Sequence, residues 1–142
     1  MKRKILFLLG GLVVVVSFVA GRSILSAREK ARAKGCGSQM ISICFSARLW
    51  AGDNNNDYYP TNLALLSNEI GTLKVLLCPS DRSRSPIASW DSLTSDNSSY
   101  ELVTKGLRVD ETNGILLRCK IHGFVGHADG RVLDGKRELH KY

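Results

Sequence analysis

The residues best suited to chemistry in this 142-residue chain are four cysteines, Cys36, Cys44, Cys78 and Cys119, and three histidines, His122, His127 and His140. None of the histidines sits in HExxH or another zinc-binding spacing. Cys119 and His122, three apart, could pair a nucleophile with a base. The simpler reading of a close Cys and His in a turn is half of a disulfide beside a surface histidine. His127 lies in a strand pattern and reads as a partly exposed sheet residue. There is no G-x-S-x-G elbow among the many serines. The expectation is a protein that is not an enzyme, with no catalytic residue and no bound cofactor.

Metal binding fares no better at this level. Asp53-x-Asn55-x-Asp57 imitates the start of a calcium loop, since alternate oxygen donors suit that ion. The glycine that the loop needs is Tyr58, however, and the closing glutamate is Ala64. A helix-terminating turn explains the run, and no metal ligand is expected. Disulfides suit the cysteines better. Cys78 precedes Pro79 at one expected strand end, and Cys119 ends another. Joining them would close a loop of about 40 residues and add about 3–4 kcal/mol by the chain-entropy argument. The alternative is two buried thiols in neighbouring strands. Cys36 and Cys44 are about 12 Å apart on a straight helix, too far to bond each other, and read as packing residues.

Charge separates the chain into two parts. Residues 1–34 hold eight Lys/Arg against one acid, Glu29, which is the whole net excess of +7. Residues 35–142 hold 12 basic and 12 acidic side chains. A phosphate-binding face needs its cations gathered on a folded surface, so nucleic acid is not an expected partner. The cations instead flank an apolar run, ILFLLGGLVVVVSFVA from Ile5 to Ala20, which Gly21 extends. Seventeen helical residues cover about 26 Å, near the lower limit for a bilayer core, and Lys4 and Arg22 can snorkel over the shortfall. A cleaved signal peptide is the competing reading. It is disfavoured because cutting after Ala20 or Ala27 leaves Phe18 or Leu25 at the position that should be small. A retained, single-pass anchor is expected.

The elements that must position these residues follow. From Arg22 to Trp50 there is no proline, and Met40, Ile43, Cys44, Ala47 and Trp50 recur on one helical face. The organisation is thus a basic flank over 1–4, a transmembrane helix over 5–21, an amphipathic continuation over 22–51 and a small head domain over 52–142. Gly52 to Asp57 ends the helix. Thr61 or Asn62 can cap a short helix over Leu63–Ile70, and Lys74–Cys78 reads as a strand stopped by Pro79. Ser80–Asn97 is a polar loop carrying Trp90. Ser99–Thr104, Ile115–Cys119, Phe124–Ala128 and Arg131–Leu133 are further strands, the last following an Asp129-Gly130 turn. The fold class is α+β: one long helix packed on a small antiparallel sheet.

These pieces, in this order, resemble type IV pilin-like proteins and the pseudopilins of type II secretion, above all those abundant in Planctomycetes and Verrucomicrobia. The resemblance rests on Ala27-Arg28-Glu29-Lys30-Ala31-Arg32 with Cys36, Ala47-Arg48-Leu49-Trp50-Ala51 with Asp53-Asn54-Asn55, and Tyr59-Pro60-Thr61. It continues through Cys78-Pro79-Ser80-Asp81, Ser99-Tyr100-Glu101-Leu102, Cys119-Lys120-Ile121-His122-Gly123 and Ala128-Asp129-Gly130-Arg131-Val132. The chain departs from the family at its start: no Gly precedes Ile5 and residues 1–28 contain no Glu. The resemblance implies a structural subunit in the bacterial inner membrane with a periplasmic or surface-exposed head. Its partners would be copies of itself or other pilin-like subunits. It also implies a possible calcium ligand role for Asp129 and Asp134 in the C-terminal loop. The alternative is a membrane-tethered binding domain that keeps the fold without polymerising.

Overall fold

A computed structural model describes the backbone of residues 2–54, 57–104, 106–135 and 137–140, and the side chains of 22–54, 57–104 and 106–135. The chain divides into two compact units, residues 1–31 and 32–142. One helix, α1 (Lys2–Asp53), contributes to both. In the first unit Ile24 and Leu25 are exposed. The side chains of the expected membrane segment, 5–21, lie outside the described residues. Among the described residues, no helix is long and apolar enough to cross a membrane.

In the second unit α1 buries the face that its periodicity specifies. Cys36, Met40, Ile43, Cys44, Ala47 and Ala51 are buried, while Trp50 is only partly so. They pack on a five-stranded antiparallel meander, β1 (Tyr100–Leu102), β2 (Ile115–Cys119), β3 (Val125–His127), β4 (Val132–Asp134) and β5 (Arg137–His140), in that spatial order. The helix can lie close because β3 has Gly126 at its centre. A Cβ there would stand 2.8 Å from the Cys44 sulfur. Register shifts interrupt the β2–β3 and β4–β5 ladders. Gly130, at φ 87°, and Gly135, at φ 59°, supply the left-handed geometry of the last two hairpins.

Three expectations change. The helix expected over Leu63–Ile70 shortens to a single 3-10 turn at Leu63–Leu66, with the Asn62 side chain accepting from the Ala64 N–H at 2.9 Å. The strand expected at Lys74–Cys78 is a second such turn, Leu73–Leu76, capped by Thr72. Its apolar residues serve to bury Leu76, whose carbonyl accepts from the Ser99 N–H at 3.0 Å and the Ser98 hydroxyl at 3.2 Å. β5 was not anticipated; the Asp134-Gly135 turn that creates it is visible only as an isolated pair of turn residues. The polar loop after Pro79 carries a third 3-10 turn at Trp90–Ser92.

Candidate functional site

Packing of α1 on the sheet brings together residues that the sequence keeps far apart. Cys36 comes from the buried face of α1, Cys78 from just beyond the second 3-10 turn, Cys119 from the last position of β2 and His122 from the turn after it. Their sulfur and imidazole nitrogen atoms all lie within 4.8 Å of one another. The Cys36 and Cys119 sulfurs are 3.5 Å apart, and His122 Nδ1 is 3.3 Å from the Cys78 sulfur and 3.9 Å from that of Cys119.

Local chain geometry aims each donor. After β2 the chain reverses through Lys120–Gly123, with the Gly123 N–H donating to the Cys119 carbonyl at 3.0 Å and Gly123 at φ 69°. This reversal turns the His122 N–H back onto the Cys119 sulfur at 3.4 Å. The imidazole stacks on Phe124, with centroids 4.8 Å apart, which fixes the ring plane. Cys78 sits at a similar reversal, where the Asp81 N–H donates to the Cys78 carbonyl at 2.8 Å. Above the cluster, the fully buried Tyr100 hydroxyl donates to Gln39 Oε1 at 2.8 Å and lies 3.5 Å from the Cys36 sulfur.

Asp81 latches the Cys78 loop to the start of β1. It accepts from the Ser99 hydroxyl at 2.6 Å, the Ser83 hydroxyl and N–H at 2.7 and 2.9 Å, and the Arg84 guanidinium at 2.6 Å. Its side chain is 1% exposed. Desolvation pushes the carboxyl upward, but the donors from Ser99, Ser83 and Arg84 outweigh it and hold Asp81 well below the usual carboxylate range.

Among the sulfurs, the thiol that Cys36 donates to Cys119 is raised, and Cys119, which accepts from Cys36 and Cys78, is held below the ordinary thiol range. Cys78 is raised, chiefly by the neighbouring Cys119 thiol. The result is one anion-tolerant sulfur inside a ring of donors.

The pairing expected between Cys78 and Cys119 is not formed: all four cysteines are buried free thiols. The reading of Cys36 as a packing residue accounts for its burial but misses its sulfur contacts. His122 is half-buried, with its Nδ1 turned to the sulfurs. The zinc-type spacing sought among the histidines was absent because the four donors come from three separate elements. The local signals that could have found them are Cys119-x-x-His122 and Cys78-Pro79, each a turn that points a donor inward. Cys44 stays apart from the cluster, and burial followed by the charge of Asp129 pushes its thiol up to about 12.

The other candidates remain separate. Asp129 accepts from the Arg131 N–H at 3.0 Å and the Arg131 guanidinium at 2.5 Å, so its carboxylate is engaged within its own turn. Asp134 is exposed at the end of β4. Asn55 of the calcium-like run and the His140 side chain lie outside the described residues. His127 Nδ1 is 2.8 Å from the Asn113 carbonyl at the sheet surface. Against known protein families, curated proteins and solved structures, the chain finds no match.

Proposed function

We propose that this chain is a pilin-like or pseudopilin-type structural subunit, held in the bacterial inner membrane by residues 5–21 and assembling through α1 with further copies of itself or with related subunits. The observation that supports this reading is an apolar stripe of α1 that flanks its buried face. Ile41, Phe45 and Leu49 follow one another at four-residue steps; Phe45 is 62% exposed and Leu49 43%. Beside Phe45 an open groove of about 550 Å³ runs between α1 and the Ala128–Arg131 turn. An apolar helix stripe next to a groove suits lateral packing against another helix better than contact with water. The head then supplies the rigid support, and the N-terminal run supplies the anchor.

The test is a photoreactive amino acid at position 45 of the full chain in its native membrane. The expected outcome is a ladder of cross-linked species that Leu49→Asp abolishes. A monomer in mild detergent with no cross-link from position 45 would instead favour the membrane-tethered binding domain.

A further inference from the structure

We propose that Cys36, Cys78, Cys119 and His122 form a tetrahedral site for a single zinc ion that ties α1 to the sheet. Zinc bound at its usual distances of about 2.3 Å to sulfur and about 2.0–2.1 Å to nitrogen spaces its ligands about 3.8 Å apart between sulfurs and about 3.6 Å between sulfur and nitrogen. The spacings of 3.5, 3.3 and 3.9 Å found here bracket those edges. One ion fits with a small outward movement of the sulfurs, whereas four donors within 4.8 Å leave no room for a multi-iron cluster.

The donor set selects the ion. Three thiols and an imidazole suit zinc and reject calcium and magnesium, which take oxygen. Four protein ligands fill the coordination sphere, so the ion is structural and not catalytic. The surroundings aim backbone and side-chain donors at the sulfurs. The His122 N–H donates to the Cys119 sulfur at 3.4 Å. The Tyr100 hydroxyl stands against Cys36. A disulfide would account for two of the three sulfurs and leave the third beside an imidazole already turned inward by its stack on Phe124. Loading takes up one Zn²⁺, releases up to three thiol protons to solvent and changes no oxidation state. The site is independent of whether the chain assembles.

The experiment uses the full chain purified in detergent under reducing conditions without chelator, with elemental analysis for metal and a titration of the metal-free protein with Co²⁺. The expected result is one zinc per chain, and on Co²⁺ addition the visible absorption of tetrahedral cobalt with thiolate charge transfer. His122 is half-buried, so His122→Ala should fold. It should weaken zinc by more than the 10- to 100-fold typical of losing an outer-shell partner and alter the cobalt spectrum, while Cys44→Ala leaves both unchanged. A chain that holds no zinc and gives octahedral cobalt under reduction overturns the proposal. So does a native, non-reduced mass 2 Da low, mapped to a Cys36–Cys119 linkage.

Discussion

Cys36 and Cys44 are the same residue type on the same face of one helix, two turns apart, and both are buried. Their surroundings make them different chemical objects. Cys44 lies against Gly126, among the described residues no hydrogen bond reaches its sulfur, and its thiol behaves as a small apolar group. Cys36 faces two other thiols, an imidazole and a phenol. Burial alone therefore says little about what a cysteine does; its neighbours decide. At the Cys44 level the helix is held by shape, and at the Cys36 level by polar donors that call for a common partner.

The largest effect should separate the two levels. If the Cys36 cluster holds zinc, a strong chelator added to the reduced protein should lower the thermal midpoint by more than about 10 °C, because a structural ion contributes many kcal/mol to the folded state. Cys44→Ala should cost only about 1 kcal/mol and leave the chelator response intact.

Asp81 gives the next effect. Asp81→Ala removes a buried carboxylate with its donors from Ser99, Ser83 and the partly exposed Arg84, frees the Cys78 loop, and should cost about 3 kcal/mol in denaturant unfolding. Its folded pKa lies below the unfolded value of about 3.9. The stabilisation is therefore complete above that value and is lost as pH falls through the folded one. The variant should show a flatter acid limb, and it should lose zinc more readily than any change at the Cys44 level.

Gly126→Ala should cost about 2 kcal/mol by overpacking, with metal content unchanged. Because the new methyl would press on the Cys44 sulfur at 2.8 Å, combining it with Cys44→Ala should recover much of the loss. Full additivity would mean that the helix, and not the sulfur, absorbs the strain.

The sequence carried the parts of this arrangement that depend on local repetition. The buried face at Met40, Ile43, Cys44 and Ala47 follows from helical period, and β2 at Ile115–Cys119 from a run of apolar residues between turn signals. Lys74–Cys78 has the composition of a strand, yet Thr72 caps a turn there and Pro79 stops the chain before a ladder can extend. Composition cannot reveal whether a partner strand is present. The cluster was hidden for a related reason. Cys36 and Cys119 are 83 residues apart, and only the fold of the head makes them neighbours. Cys119-x-x-His122 and Cys78-Pro79 are the local clues, and each alone fits a surface turn equally well.

That separation of 83 residues also has a temporal meaning. At about 5–20 residues per second, Cys36 is synthesised about 4–17 s before Cys119 exists. Throughout that interval Met40, Ile43 and Ala47 have no sheet to cover them, while the meander, built from neighbours in the chain, closes quickly once it emerges. The helix is made before the sheet that covers it, so its inner face is the surface that the cell's folding machinery must shield.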